Sequence, residues 1–129
     1  MQDVINFARA LADATRWRII HLVFDQSLCV CELVETLKLP QSTLSSQLRV
    51  IDKAGILDCE RRGKWLFYRV KPEFRAVLTA LFDHFGSTRS SDPQLGKDAT
   101  KALQRIQRRE KICCPGPDKL ACQSQPPKP

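Results

Sequence analysis

The cysteines are the residues in this sequence whose type and spacing are best suited to chemistry. Cys29 and Cys31 lie in the segment SLCVCE, and Cys113, Cys114 and Cys122 lie near the C-terminal end. Thiolates bind soft metal and metalloid ions, but a free cysteine is also a small hydrophobic residue that packs well. Because the sequence has only two histidines, a metal site here must consist mainly of sulfur.

The composition limits the class of protein. The 129 residues suffice for one domain and a tail, and the formal net charge of +7 favours an anionic partner such as nucleic acid. No apolar run reaches the length of about 20 residues that crosses a bilayer, and the first residues do not resemble a secretion signal. We therefore expect a cytoplasmic protein without a membrane contact, in which the cysteines remain thiols.

The segment around Cys29 and Cys31 is predicted to begin a helix. Apolar spacing predicts one helix near the N-terminus, a second capped by Asp13, and a third over residues 31–38 that ends before Pro40. Side chains two positions apart on a regular helix point about 200° apart. Cys29 and Cys31 can therefore converge on one ion only if the first turn of the third helix is distorted.

The next segment, PQSTLSSQLRVIDKAG, predicts a helix with an apolar face formed by Leu44, Leu48 and Ile51. Its other face carries short polar side chains, which allow close approach to the major groove of double-stranded DNA. The candidate DNA-binding residues of this helix are Gln41, Ser42, Thr43, Ser45, Ser46, Gln47 and Arg49. The alternative for such a face is simple exposure to water.

A basic hairpin is predicted to follow this helix. Residues 56–61 and 65–70 have the composition of two strands, and the turn between them is basic. Arg61, Arg62 and Lys64 would contact backbone phosphates. A mainly α-helical domain with such a β-hairpin wing is a winged helix-turn-helix, and the order of the elements favours binding to operator DNA over a solvated helix and turn.

The rest of the chain predicts a dimer interface and a tail. A helix starting at Pro72 has an apolar stripe that a second copy of the chain would bury, with packing onto the same chain as the alternative. The stripe consists of Phe74, Val77, Leu78, Leu81, Phe82 and Phe85. We expect a winged helix-turn-helix domain over residues 1–86, a linker over 87–97, a basic helix over 98–111 and a flexible cysteine- and proline-rich tail over 112–129.

Four further features of the chain are expected to be structural. Cys59 is expected to pack within the first hairpin strand, and His84 is expected at the end of the long helix, where the helix dipole favours it. His21 is expected at the boundary of the core. The apolar side of the basic helix is expected to consist of Ala99, Ala102, Leu103 and Ile106.

The sequence resembles a known family in several segments. LADATRWRIIHLV, LCVCEL, QSTLSSQLRVIDKAGIL and RRGKWLFYRV, all within residues 3–85, are similar to segments of the arsenical-resistance repressor (ArsR/SmtB) family. The resemblance implies a homodimeric winged-helix repressor that leaves its operator when it binds a metal or metalloid. Gln47 departs from the family, which often has histidine in this helix, so the resemblance does not predict the operator sequence.

The resemblance also implies that Cys29 and Cys31 bind the inducer, because the CVC motif of the family is a recurring site for arsenite, antimonite, cadmium or lead. As(III) and Sb(III) prefer three thiolates in a pyramid, and Cd(II) or Pb(II) are the alternative inducers. Residue 34, which supplies the third thiol in some relatives, is valine here. The acidic and histidine partners that some relatives use to bind zinc near the end of the long helix are also absent.

The tail cysteines could supply the missing ligands, since basic residues precede them and favour thiolates. Two arrangements remain open. In the first, which is slightly preferred, Cys113, Cys114 and Cys122 form a three-thiol site of their own. In the second, a tail cysteine completes the pair formed by Cys29 and Cys31, within one chain or across the dimer.

Two functions are alternatives to a metalloid-responsive repressor. A thiol redox repressor of the same fold would oxidise Cys29 with Cys31, or Cys113 with Cys114, instead of binding an ion. An enzyme is not expected, because the sequence has neither a Cys-x-x-Cys motif nor a glycine loop that could bind phosphate.

Overall fold

The computed structural model describes residues 1–109 and residue 116. The helices are α1 (Gln2–Leu11), α2 (Ala14–Asp25), α3 (Val30–Leu37), α4 (Gln41–Lys53), α5 (Arg75–Phe85) and α6 (Pro93–Gln107). The strands are β1 (Leu28–Cys29), β2 (Leu57–Arg62) and β3 (Trp65–Val70), and a short 3-10 turn over Pro72–Phe74 precedes α5. The chain is therefore mainly helical with a β-hairpin, as predicted.

Helices α2, α3 and α4 enclose the core. Asp13 caps α2 as predicted, because its carboxylate accepts the backbone N–H of Arg16 over 3.1 Å. The apolar residues at helical spacing point inward, and the fully buried ones include Ile19, Ile20, Leu33, Leu44 and Ile51. Pro40 precedes the first residue of α4, so the turn between α3 and α4 is short and the two helices form the helix-turn-helix.

The three strands form an antiparallel sheet in the order β1-β3-β2. The hairpin of β2 and β3 confirms the predicted wing, and Gly63 has a φ of 62° in its turn, a conformation that favours glycine. Strand β1 was not predicted because it has only two residues, too few for a periodic pattern. Its Cys29 pairs with Phe67 of β3, which joins the start of α3 to the wing.

Helix α6 begins five residues earlier than predicted, within the segment expected to be a linker. The carboxylate of Asp92 accepts the backbone N–H groups of Gln94 and Leu95, and Pro93 occupies the first helical position. Leu95 is buried, so packing supports this first turn. The segment whose serine- and proline-rich composition indicated a linker therefore contains the start of α6.

The inward face of α6 also differs from the prediction. Leu103, expected on the apolar side, is 42% exposed, whereas Asp98 and Arg105 are buried beside Leu95 and Ala102. Asp98 accepts two hydrogen bonds from Arg18 of α2, over 2.8 and 3.0 Å. This helix therefore attaches to the domain through charged pairs as well as through apolar contacts.

Helix α5 divides its apolar stripe between two faces. Leu78 and Phe82 are buried in the core, whereas Val77 and Phe85 are 43% and 72% exposed and Leu81 is partly exposed. The chain itself therefore buries only part of the stripe. Among the described residues, no helix is long and apolar enough to cross a membrane.

Candidate metalloid site and nucleic-acid interface

The cysteine pair and the predicted DNA-binding elements line one cavity. This cavity has a volume of about 520 Å³ and lies between the start of α3, helix α4 and the hairpin. Its lining includes Cys29 and Cys31, then Gln41, Ser45 and Arg49 of α4, and Arg61, Lys64 and Trp65 of the hairpin. A ligand held by the two cysteines would therefore lie beside side chains of both elements that are predicted to bind DNA.

The start of α3 brings the two sulfur atoms together. Cys29 is the N-cap residue with extended backbone (φ −85°, ψ 163°), and Cys31 lies in the first turn. Their Cα atoms are 5.4 Å apart and their Sγ atoms are paired as a disulfide, in contrast to the expectation that all cysteines remain thiols. The convergence predicted for a distorted helix start occurs because Cys29 has not yet entered the helix.

Glu32 fixes this helix start and also contacts α6. Its backbone N–H donates to the Cys29 sulfur, and its buried carboxylate accepts the backbone N–H of Cys29 over 3.0 Å, so the two residues form a capping box. The same carboxylate accepts two hydrogen bonds of 2.9 Å from the guanidinium of Arg109. Arg109 also donates to the carbonyl of Ser27 over 3.0 Å. The residues just after α6 are therefore bound directly to the cysteine-bearing helix.

A second charged pair reinforces this contact. Arg105, which is buried, donates to the carboxylate of Glu35 on α3 and lies 4.0 Å from the carboxylate of Glu32. The guanidinium of Arg109 lies 5.8 Å from the ring centre of Phe67, the strand partner of Cys29. A bidentate arginine–carboxylate pair holds its partners in one geometry, so α6 and α3 share a fixed orientation.

Gly116, the one described residue beyond Arg109, lies against the same region. Its carbonyl accepts a 3.0 Å hydrogen bond from Arg62 of the wing. Its φ is 88°, and a Cβ atom there would lie 3.1 Å from the Nη1 atom of Arg109. The positive φ favours glycine at this position, and a Cβ atom would in addition force the Arg109 side chain to shift by a few tenths of an ångström.

The predicted tail ligands Cys113, Cys114 and Cys122 lie outside the described residues, as does most of the predicted tail. Within residues 1–109 and 116, no three of the histidine, cysteine, aspartate and glutamate side chains form a group that could hold a metal ion. The described part of the chain therefore offers two convergent sulfurs. This is one fewer than the number of thiolates that a three-coordinate ion prefers.

Helix α4 presents most of its predicted DNA-binding residues to solvent. Gln41, Ser42, Thr43, Ser46 and Arg49 are exposed, and Ser45 is partly buried at the edge of the cavity. The apolar face with Leu44 and Leu48 is buried. The helical periodicity of this segment therefore predicted its orientation correctly.

Gln47 departs from the predicted outward orientation. It is half-buried on the side of α4 that faces the N-terminal helices, and its Oε1 atom accepts a 2.9 Å hydrogen bond from Arg16. Sequence periodicity could not find this contact, because it joins residues 31 positions apart. The Oε1 atom of Gln47 therefore already accepts one hydrogen bond from within the chain.

The basic wing is exposed as predicted. Arg61, Arg62 and Lys64 are all exposed, and Lys64 lies 5.2 Å from the ring centre of Trp65. Arg62 also donates the hydrogen bond to the carbonyl of Gly116 that is described above. The wing therefore presents positive charge to solvent beside α4.

The remaining sequence predictions had mixed outcomes. Cys59 was predicted to pack, but it is exposed, because β2 is an edge strand with one face toward solvent. His84 lies in the last turn of α5, as predicted. His21 lies at the edge of the core, stacked on Phe82 at 4.0 Å and edge-on to Trp17 at 5.0 Å, and burial lowers the pKa of its imidazole to about 4.

Comparison with known proteins identifies similar transcriptional regulators. The family described as "Bacterial regulatory protein, arsR family" matches residues 13–58. The arsenic resistance transcriptional regulator ArsR1 of Pseudomonas putida is 35% identical over 101 residues, which are 78% of this chain and 77% of that protein. The cadmium resistance regulatory protein CadC of Listeria innocua is 33% identical over 54% of this chain and 59% of its own length.

A solved structure agrees with the fold. The transcriptional repressor BigR from Xylella fastidiosa superposes with a TM-score of 0.56 at 30% identity, over 65% of this chain and 87% of that one. The helix-turn-helix and the hairpin wing are the elements of a winged helix-turn-helix regulator. The match to ArsR1, a transcriptional regulator, covers most of both chains. The chain therefore belongs to the ArsR/SmtB family of winged helix-turn-helix transcriptional regulators.

Proposed function

We propose that this protein is a repressor that binds operator DNA as a homodimer and leaves it when As(III) or Sb(III) binds to its cysteine thiolates. The observation that carries the proposal is the shared cavity, in which Cys29 and Cys31 lie beside Arg49 of α4 and Lys64 of the wing. A ligand releases DNA only if it binds the DNA-free form more tightly. An ion held in this cavity would act directly on the positions of both DNA-binding elements.

Operator binding is supported by the exposed side chains of α4 and of the wing. The short side chains of Ser42, Thr43 and Ser46 allow α4 to enter a major groove, and the exposed arginine and lysine residues of the wing suit phosphates. The formal net charge of +7 favours the same anionic partner. We expect the two recognition helices of a dimer to contact half-sites about one helical turn apart.

Homodimer formation is supported by the outer face of α5. Val77 and Phe85 are exposed there, and exposed apolar residues on α1, among them Val4 and Ile5, provide more surface for a second copy. Phe85→Asp should convert the dimer to a folded monomer in sedimentation, since the Phe85 ring is 72% exposed in the single chain.

For the inducer we propose the shared arrangement, in which a tail cysteine completes the pair of Cys29 and Cys31. The support comes from the described residues on either side of Cys113 and Cys114. Arg109, four positions before Cys113, is bound to Glu32, and Gly116 is bound to the wing. Since two residues span at most about 7 Å, the length of chain between Cys114 and Gly116 would allow a tail thiol to reach this region.

The choice of ion follows from the ligand set. Among the described residues the cavity brings together two sulfurs, and one further thiolate would complete the pyramid that As(III) and Sb(III) prefer. Binding requires both cysteines in the reduced state, because only a thiolate donates to the ion. Cd(II) or Pb(II) is the alternative inducer, and Cd(II) would take four ligands rather than three.

The experiment that tests this proposal measures arsenite-driven release of DNA. The reduced protein is bound to a fluorescent duplex that it has selected from a randomised pool, and arsenite is added at fixed salt. Cys29→Ser, Cys31→Ser and a triple variant with serine at Cys113, Cys114 and Cys122 should bind the duplex but resist release. Cys59→Ser is the matched control, because Cys59 is exposed and lies outside the cavity lining, and it should respond like the parent.

Two outcomes would contradict the shared site. If the triple tail variant responds like the parent, the tail is not a sensor. If Cys29→Ser responds like the parent while the tail variant does not, the tail cysteines form a site of their own. Failure of the reduced parent to select any duplex would contradict DNA binding itself.

A thiol redox repressor is the second candidate, and the sulfur pairing of Cys29 with Cys31 favours it. A peroxide would take two electrons and two protons from the two thiols, form the disulfide and become water. In that case peroxide should release the DNA and reduce the protein mass by two hydrogens, and arsenite should have no effect. Retained DNA binding after full oxidation of Cys29 and Cys31 would exclude this function.

A further inference from the structure

Glu32 makes two different contacts with Cys29, one to its sulfur and one to its backbone. The backbone N–H of Glu32 donates to the sulfur, and the Glu32 carboxylate accepts the backbone N–H of Cys29 over 3.0 Å. The first contact holds the sulfur against the first turn of α3. The second contact holds the backbone of Cys29 at the N-cap position, outside the helix.

This position outside the helix allows the sulfur of Cys29 to meet that of Cys31. The backbone of Cys29 is extended, with φ −85° and ψ 163°, and its Cα atom lies 5.4 Å from that of Cys31. If Cys29 became a helical residue of α3, the two side chains would point about 200° apart. The two sulfurs would then be unable to bind one ion together.

The carboxylate that accepts the Cys29 N–H is itself held in place. Glu32 is fully buried, and the Nε and Nη2 atoms of Arg109 each donate to its carboxylate over 2.9 Å. A buried carboxylate without such a partner would be costly. Arg109 therefore stabilises the charge of Glu32 while the carboxylate also accepts from Cys29.

The sheet is a second possible cause of the same backbone conformation. Cys29 pairs with Phe67 of β3, and a paired strand residue is also extended. The contribution of Glu32 must therefore be measured with the pairing to β3 left unchanged.

We propose that Glu32 is the positioning residue of the cysteine site: by accepting the backbone N–H of Cys29, its carboxylate keeps the two sulfurs convergent and raises the affinity for any ligand that needs both thiolates. This inference rests on the proposed binding of the inducer by Cys29 and Cys31. Glu32 acts through Cys29, since it does not line the cavity that the two cysteines share with α4 and the wing.

The probe is phenylarsonous acid, which takes two thiolates because a phenyl ring occupies the third valence of As(III). On binding, two As–S bonds replace two As–O bonds, and the two thiol protons leave with the two hydroxyl groups as water, so nothing is oxidised. In the reference protein, serine replaces the four other cysteines of the full chain, so the only thiols are Cys29 and Cys31. Dithiothreitol keeps these thiols reduced and competes for the arsenical, so the competition gives the relative affinity.

Two double variants of the reference protein differ in a single hydrogen-bond acceptor. Glu32→Met/Arg109→Met replaces the charged pair with apolar side chains and leaves neither charge unpaired, a change that proteins often tolerate. Glu32→Gln/Arg109→Met also removes both charges, but the glutamine oxygen can still accept the N–H of Cys29. The first variant should bind the arsenical about tenfold more weakly than the reference, as expected for one lost hydrogen bond, and the second should bind like the reference.

This pair of variants separates positioning from general stability. Both variants lose the attachment of Arg109 to α3, and both keep the strand pairing with β3, so neither effect can produce a difference between them. If circular dichroism shows that Glu32→Met/Arg109→Met does not fold, Glu32→Asp replaces it in the comparison. Aspartate keeps a negative charge for Arg109, but it is one methylene shorter and should also bind about tenfold more weakly, because it does not reach the N–H of Cys29.

The outcomes distinguish this inference from the function on which it rests. Weak binding by the methionine variant with normal binding by the glutamine variant supports it. Equal binding by the reference and both variants overturns it, because the sheet alone then positions Cys29. Equal weakening in both variants also overturns it, because the charged pair would then matter and the acceptor would not. A reference protein that does not bind the arsenical overturns the inference and the inducer site together, and failure of operator binding alone would appear only in the experiments with DNA.

Discussion

Helices α4 and α6 are both rich in polar residues, but they use them in opposite ways. Helix α4 buries Leu44, Leu48 and Ile51 and leaves its polar side chains largely exposed. Helix α6 buries Asp98 and Arg105 and leaves Leu103 exposed. The first helix keeps hydrogen-bonding groups available for a partner, whereas the second uses its charges to attach to α2 and α3.

The polar residues of α4 are therefore expected to serve recognition, and those of α6 are expected to serve stability. An exposed polar side chain contributes little to folding, so its replacement should affect recognition more than stability. A buried charge is costly unless it is paired, so its partner is needed for stability. The contact between α6 and α3 should therefore be sensitive to the loss of one partner, and α4 and the wing should not.

The largest expected effect is at the pair of Arg109 and Glu32. Arg109→Met removes both hydrogen bonds to a fully buried carboxylate and should lower the free energy of unfolding by about 3 kcal/mol. Arg108→Met is the matched control, because Arg108 is 56% exposed and lies 3.7 Å from Glu35, and should cost less than about 1 kcal/mol. Urea unfolding measures both, and equal losses would remove the distinction between the two regions.

A smaller effect is expected at His21, a partly buried titratable group that packs on aromatic rings rather than in an ion pair. Burial lowers the pKa of its imidazole from 6.5 to about 4, so the unfolded chain binds the proton more tightly. Stability is therefore complete above about pH 6.5 and is lost as the pH falls toward about 4. Allowing for the partly solvated ring, we expect a loss of about 1–2 kcal/mol between about pH 7 and pH 5.

The control for this titration is His21→Phe, which keeps an aromatic ring beside Phe82 but cannot bind a proton. Urea unfolding of the variant should show less pH dependence than the parent over the same range, with the remaining dependence due to carboxylates. If the two proteins lose stability equally, His21 does not titrate as its burial requires.

The smallest expected effect on stability is at the wing. Replacement of Arg62 and Lys64 by alanine should change the free energy of unfolding by less than about 0.5 kcal/mol and reduce the salt dependence of DNA binding by up to about two charges. Lys97→Ala with Lys101→Ala removes the same charge from exposed positions on α6 and is the control. An unchanged slope in the wing variant would mean that the wing does not contact phosphates.

The sequence predicted the helices that have an apolar period and predicted less where charges are buried. Leu44, Leu48 and Ile51 repeat at helical spacing, so α4 and its orientation followed directly. The inward face of α6 could not be predicted, because Asp98 and Arg105 are normally surface residues and their partners Arg18 and Glu35 are distant in sequence. The start of α6 did have a local signal, Asp92-Pro93, within a segment of linker-like composition.

The candidate site also combines features that the sequence predicted with contacts that it did not predict. The sequence indicated that Cys29 and Cys31 could converge at a helix start, and local backbone geometry produces that result. It did not indicate that Arg109 binds Glu32 or that Arg16 holds Gln47, because each contact depends on how distant helices pack. Long-range polar contacts are therefore the part of the site that required the structure.

The most direct test of the shared inducer site is a count of sulfur ligands by arsenic X-ray absorption. The reduced full-length protein, loaded with one equivalent of arsenite, should show three sulfurs around arsenic, as expected for a trivalent ion held by thiolates. The variant Cys29→Ser/Cys31→Ser should lose that three-sulfur environment, whereas Cys59→Ser should retain it. Three sulfurs around arsenic in the Cys29→Ser/Cys31→Ser variant would contradict the shared site, because the tail cysteines would then bind the ion by themselves.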